Sequence, residues 1–446
     1  MFSKVLVANR GEIAVRVFRA CKELGLRTVA VYSEADRESR HIALADEAVC
    51  IGPGPSRESY LRVDRILAAA EQTGAQAVHP GYGFLSENAA FAKACRDRGL
   101  TFIGPPPESI HALGNKIEAK RLAEKAGVPV VPGAFGGLKE LSAAAARVGF
   151  PVMVKAAAGG GGKGLRFVRE PGALETEIEK AGSEAKANFG DGTLYLEKFV
   201  EKPRHVEIQL CADVHGGAVA CVERDCTVQR RHQKLIEESP SPAVSPETRR
   251  KMQEAAIRLA KACGYSNVGT VEFLLGADGH FYFMEVNTRL QVEHPVTETV
   301  VGIDLVVEQI RLAAGEKLSF DQARASEIRC HAIEHRINAE DSTRGFAPCP
   351  GLISNWTVPG GPGVRVESHI YAGYTVPSYY DSLIAKLITS APDRKSALAR
   401  SVRALSEFEV GGIHTTIPFH LRVLADKRFQ SGVFDTSFAD ILLGSK

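Results

Sequence analysis

The residues best equipped for chemistry are concentrated in one stretch, Glu285-Val286-Asn287-Thr288-Arg289-Leu290-Gln291-Val292-Glu293-His294-Pro295. Side chains alternate faces along an extended chain, so Glu285, Asn287, Arg289, Gln291 and Glu293 would share one wall, with Val, Thr, Leu and Val behind it. The segment leading in, GTVEFLLGADGHFYFMEVN, reads as a hairpin, because Asp278-Gly279 is a strong two-residue turn signal. That turn sets Glu272 opposite Glu285. Like charges directly across two strands are destabilising unless something neutralises them, so the pair asks for a cation. With Asn287 on the same face, the all-oxygen donor set suits Mg²⁺, with Mn²⁺ as the alternative.

A second chemical segment is PVMVKAAAGGGGKGLRFV. A strand ends at Lys155 and runs into Gly159, Gly160, Gly161, Gly162 and Gly164. A dinucleotide-binding turn must open a helix, whereas LRFVRE is strand-like; a Walker loop needs Ser or Thr after its lysine, whereas Gly164 follows Lys163. What remains is a strand-to-strand flap whose backbone N–H groups can wrap phosphate oxygens, aided by Lys155 and Lys163. The cluster Arg230-Arg231-His232-Gln233-Lys234 lacks interleaved aromatics and sits in a chain of net charge +2, which fits an anion-binding cleft better than nucleic acid. Cys226, inside ERDCTVQRRHQK, has charged neighbours that could activate it; a bystander thiol is the preferred reading.

The elements that must position these residues follow from periodicity. KVLVAN is a buried strand, RGEIAVRVFRACKELG a helix with Ile13, Val17, Cys21 and Leu24 at helical spacing, and RTVAVYS the next strand. This βαβ opening, with AQAVHP and LTFIG further on, predicts an open parallel sheet over residues 1–113. Such sheets hold ligands at the carboxyl ends of strands, which draws attention to HPGYGFLSEN, beginning at His79. KIEAKRLAEKAGVPVVPGA then gives a helix stopped by Gly127 and Pro129. At 446 residues, with 44% hydrophobic and 24% charged residues, several domains are expected. No run reaches the roughly 18 apolar residues of a membrane helix. The nine cysteines form no CxxC pair, and the chain opens directly into a strand, so the cytoplasm is the expected location.

A glycine flap with lysines and a carboxylate hairpin for magnesium describe a nucleotide triphosphate site without a P-loop, and this combination resembles the ATP-grasp superfamily. The motifs ANRGEIA, HPGYGFLSEN, GGGGKG, ERDCTVQRRHQK, EVNTRLQVEHPVTE and GYTVPSYYDS, in this order, resemble biotin carboxylase over essentially the whole chain. The resemblance implies an α/β and α+β multidomain fold: a Rossmann-like pre-ATP-grasp domain (1–113), an ATP-grasp domain (114–328) with a mobile lid over about 130–200, and a C-terminal biotin carboxylase domain (329–446).

The same resemblance implies residue roles. Lys116, Lys155 and the glycines from Gly159 to Gly164 would hold ATP phosphates. Glu197, Lys198, Val200 and Leu274 would meet the base and His205 the ribose. Gln229 and His232 belong with the nucleotide and also reach towards biotin. Glu272, Glu285 and Asn287 would carry the metal. Bicarbonate would meet Lys234, Arg289, Gln291, Val292 and Glu293; biotin would meet Tyr82, Gly83 and Arg336. Glu293 is implied as the base that deprotonates bicarbonate, and Arg336 as the permanent cation for the ureido oxygen. Taken alone, Arg336 reads equally well as a surface arginine paired with Glu334 or Glu340.

Arg19 and Glu23, spaced i and i+4, read plainly as an intrahelical pair, whereas relatives use this helix in a homodimer with Arg365. Pro362 replaces an aromatic residue that some relatives carry there. No lysine flanked by methionines is found, so biotin is expected on a separate biotin carboxyl carrier protein, with carboxyltransferase subunits as further partners. Acetyl-CoA is the expected acyl acceptor, with propionyl-CoA and pyruvate as alternatives. Two rivals remain, a ligase joining a carboxylate to an amine and a silent nucleotide-binding subunit.

Overall fold

A computed structural model describes residues 2–156, 165–190 and 192–444. The glycine run from Gly159 to Gly164, and Lys163 within it, lie outside the described residues.

The first sheet is parallel throughout, in the order Glu47–Cys50, Arg27–Tyr32, Lys4–Val7, Ala77–His79, Thr101–Phe102. Val5, Leu6 and Val7 are fully buried, as a strand with helices on both faces requires. The helix Gly11–Glu23 buries Ile13, Val17 and Cys21 as their spacing predicts. Lys116–Lys125 is helical too, capped by the Asn115 side chain, which accepts from the N–H groups of Ile117 and Glu118. Gly127 follows with a φ of +67°, the left-handed conformation that ends such helices.

The next body is a four-stranded antiparallel sheet, ordered Gly133–Gly136, Leu194–Lys198, Val152–Ala156, Leu165–Val168. The helices Leu138–Val148 and Leu174–Phe189 cover it, and Leu141, Val152, Val154, Ile178 and Leu196 form a core of its own. Lys155 lies opposite Leu165 in the antiparallel pairing of these last two strands.

A nine-stranded sheet carries most of the chemistry. It runs from the hairpin Asn267–Leu275 and Phe281–Asn287 through Arg204–Ala212, Arg224–Arg230 and Gln233–Ser239. It then continues without a break into His331–Asn338, Leu383–Ala391 and Val364–Ser368. One antiparallel surface thus joins the second and third expected domains, and residues from both can meet on it. Among the described residues no helix is long and apolar enough to cross a membrane.

Candidate active site

The hairpin brings Glu272 opposite Glu285, as expected, but by a different route. The Gly276 N–H donates to His280 O (2.8 Å) and the Gly279 N–H to Gly276 O (3.0 Å), so the turn has three residues, Ala277, Asp278 and Gly279. Gly279 takes a φ of +80°. This slips the register by one, pairing Phe273 with Phe283; a bulge at Met284 then restores Glu272 against Glu285. The sequence contained this signal: Phe281, Phe283 and Val286 all enter one core, and their spacing breaks strict alternation between 283 and 286. The strand also ends at Asn287, and Glu293 immediately precedes the helix His294–Val301, so the alternating stretch is only half extended. Its polar residues converge nonetheless.

Glu272 is not left to repel Glu285. Its carboxylate meets Lys234 Nζ at 3.0 Å and His205 Nε2 at 2.9 Å, and accepts from Asn287 Nδ2 at 2.8 Å and Gln291 Nε2 at 3.1 Å. Burial works against its charge, but Lys234 and His205 hold it well below the usual carboxylate range. Glu285 fares oppositely: burial, then the Glu272 charge, pushes its carboxyl up, with Lys116 3.9 Å away. The expectation that only a metal could satisfy this pair is therefore corrected, since protein cations already answer one member. Among the described residues two sets of three ligand atoms lie within 4.8 Å of one another, His205, Glu207 and Glu272, and Glu207, Cys226 and Glu293.

Lys234 is the hub. Its ammonium contacts Glu207 (2.6 Å), Glu272 (3.0 Å) and Glu293 (2.7 Å). Burial disfavours its charge, yet the three carboxylates hold its pKa well above an ordinary lysine's. Glu293, fully buried, bonds Lys234 with one oxygen and Arg336 (2.8 Å) with the other. Lys234, Arg336 and Arg224 outweigh burial and hold it well below the usual range. Arg336 also pairs with Glu237 at 2.7 Å, and its side chain is only 13% exposed; this replaces the surface reading with Glu334 or Glu340. Arg289 is clamped by Glu87 (2.8 Å), Gln291 (2.9 Å) and Asn287 (3.0 Å). Glu87 comes from the HPGYGFLSEN loop. The Val292 carbonyl accepts from the buried Lys386 (2.8 Å).

At the far end of the cleft Lys155 pairs with Glu197, and Lys120 reaches the same carboxylate at 3.4 Å. Lys198 holds the carbonyls of Gly149 (3.1 Å) and Phe150 (2.9 Å). Arg231 and His232 form the tight turn between two strands, both with positive φ, which aims His232 and Gln229 into the cleft. The Tyr82 hydroxyl donates to Glu12, and Asn9 Nδ2 pins the loop through Pro80 O (2.7 Å) and Tyr82 O (2.8 Å). Cys226 is fully buried 3.7 Å from Glu293, and burial pushes its thiol well up, in keeping with a bystander.

Every described candidate lines one cleft of about 1470 Å³ except Glu293, which lies beneath Lys234. Sequence reasoning missed Glu87, Glu207, Arg224, Glu237 and Lys386, the residues that hold the candidates. Arg224 is fully buried and bonds Glu207 (2.5 Å), Gln209 (2.8 Å), Thr297 (2.8 Å) and Thr270 (3.0 Å). An arginine inside a strand pattern was the signal that could have found it. Arg19 pairs with Glu367 (2.7 Å) and not with Glu23; Arg365 shares Glu367 and reaches Glu298 (2.8 Å each).

Residues 1–110 match the family described as the biotin carboxylase N-terminal domain, and 334–440 its C-terminal domain. Between them, 115–320 match the ATP-binding domain of the carbamoyl-phosphate synthase L chain. A biotin carboxylase from Nostoc sp. is 53% identical over 98% of both chains. The chain belongs to the biotin carboxylase family. It is thereby an ATP-dependent ligase with that family's three-part fold. A pyruvate carboxylase subunit from Methanothermobacter thermautotrophicus is 52% identical, over 99% of this chain and 90% of that one. The biotin carboxylase domain dimer of Hydrogenobacter thermophilus 2-oxoglutarate carboxylase, solved with MgADP, ADP and bicarbonate, superposes with a TM-score of 0.92 at 46% identity over 99% of both chains.

Proposed function

We propose that this biotin carboxylase uses ATP and bicarbonate to carboxylate biotin on a separate carrier protein, through carboxyphosphate. The observation that carries the reading is Glu293, a buried carboxylate held between Lys234 and Arg336. In the empty site these cations make Glu293 a weak base. An arriving bicarbonate competes for Lys234, which loosens that lysine's hold on Glu293 and raises its basicity towards the anion's proton. Arg289, fixed on three sides, orients the anion, and the deprotonated oxygen attacks the γ-phosphorus, releasing ADP.

Glu272, Glu285 and Asn287 fit a divalent ion, because burial and then the Glu272 charge leave the Glu285 carboxylate disfavoured, and the three side chains offer oxygen donors. Bound Mg²⁺ or Mn²⁺ would neutralise phosphate charge there. Lys116 and Lys155 serve the phosphates, with Glu197, Lys198, Val200, His205, Gln229, His232 and Leu274 about the nucleoside. Tyr82 and Gly83 line the biotin end, where Arg336, always charged, stabilises the ureido oxyanion.

The relative solved with MgADP and bicarbonate supports the substrates, and its dimer supports a homodimer, for which we assign the face bearing Arg19 and Arg365. We assign the cytoplasm, a biotin carboxyl carrier protein and carboxyltransferase subunits as setting and partners, with acetyl-CoA as the acceptor. Pyruvate is the alternative, on the strength of the pyruvate carboxylase relative. ADP release dependent on bicarbonate, with carboxybiotin formed from free biotin, is the expected result; turnover requiring an amine and indifferent to biotin would overturn it. The biotinylated protein that co-purifies identifies the acceptor system.

A further inference from the structure

Behind Arg336 lies a second pair of carboxylates. Glu237, on Gln233–Ser239, is directly opposite Glu334, on His331–Asn338, and both are fully buried. Glu237 Oε1 takes Arg336 Nε at 2.7 Å, but its Oε2 has no partner, and neither do the two oxygens of Glu334. Two fully charged carboxylates facing each other with three of their four oxygens unpartnered would be strongly unfavourable. The groups around them are few. Lys234 shares a strand with Glu237, and Cys226 lies on the adjoining strand. Glu293 shares Arg336, Lys386 lies on Leu383–Ala391, and His294 heads the helix packed above. Lys386 is engaged by Glu12 (3.2 Å) and Val292 (2.8 Å), and burial keeps His294 neutral.

We propose that the Glu237–Glu334 pair stores exchangeable protons and so sets how much of the Arg336 charge is free to meet biotin. With Glu237 protonated, Arg336 answers one carboxylate, Glu293; with Glu237 ionised, it answers two. The inference rests on the role given above to Arg336. Burial pushes Glu237 up to about 7 and Glu334 well above the carboxylate range, so the pair sheds its first proton from Glu237 near neutrality.

The test follows carboxybiotin formed per ADP released across pH. In the unaltered enzyme the ratio should fall roughly tenfold as pH rises through about 7, the size of a one-unit change in differential charge stabilisation. Glu237→Gln should hold the ratio flat at its low-pH value, while Glu334→Gln should keep the fall. The infrared stretch of protonated carboxyl should fade through the same pH range and lose that component in Glu237→Gln. A Glu237→Gln variant that tracks the unaltered enzyme, a fall abolished by Glu334→Gln instead, or the lack of a titrating carboxyl band would each overturn the proposal. Arg336→Ala separates the two ideas. Full carboxylation in that variant would remove the underlying role, whereas its loss alongside an unmoved Glu237→Gln profile would reject the proton store alone.

Discussion

The two halves of the cleft are prepared to different degrees. Around Lys234 the carboxylates of Glu207, Glu272 and Glu293 are buried and matched to cations at 2.6–3.0 Å. At the other end Glu285 is 40% exposed and Lys116 49%, 3.9 Å apart, and partial burial and then the Glu272 charge disfavour the Glu285 carboxylate. The wall around Lys234 is thus neutralised by the protein's own cations. Glu285 meets its cation only at 3.9 Å. Preorganised charge costs no rearrangement at the moment of reaction, so the wall is where the rate should be most sensitive to mutation.

The largest effect expected is from Glu293→Gln, which should lower both bicarbonate-dependent ATP cleavage and biotin carboxylation by on the order of 10³-fold, as loss of a positioned base does. Arg336→Ala should lower carboxylation by on the order of 10²-fold while ATP cleavage stays within about tenfold. Equal partial losses in both assays would erase the division of roles.

A smaller, sharper contrast concerns stability. Glu272→Gln removes the charge that answers His205 and Lys234 and should cost on the order of 3 kcal/mol. Glu285→Gln removes a disfavoured charge and should leave the melting point level or raised; both should weaken Mg-ATP use. Glu272→Lys, harmless between two isolated carboxylates, should lower the melting point because Lys234 already stands there. Indistinguishable melts would mean the two ends are not differently prepared.

The smallest effect lies remote from both ends. Burial opposes the charge of Glu298, but Arg16 and Arg365 hold its pKa well below the usual range. Its stabilisation is full above the ordinary carboxylate value of about 4.3 and is lost as pH falls towards the folded value. Glu298→Gln should therefore flatten the acid limb of a melting-point profile, and an unchanged limb would contradict the pairing.

What the sequence disclosed depends on how local the cause is. Strand and helix periods and the helix stop at Gly127 follow from neighbours in the chain. The three-residue turn and the Met284 bulge did not, because each is decided by which residues enter the core. Legible motifs named the side chains that would touch ligands. They did not name Glu87, Arg224, Glu237 or Lys386, whose roles are set by contacts between distant strands and loops; Glu87 and Arg289 lie 202 positions apart. That Glu272 is answered by Lys234 was hidden for the same reason.

The central claim is that Glu293 makes bicarbonate, and not water, the nucleophile on ATP. Bicarbonate labelled with heavy oxygen tests it directly, by mass analysis of the phosphate released. The account predicts one labelled oxygen carried into phosphate by the unaltered enzyme and by Arg336→Ala, with this transfer lost in Glu293→Gln. Phosphate that takes its oxygen from solvent during bicarbonate-dependent turnover of the unaltered enzyme would contradict it.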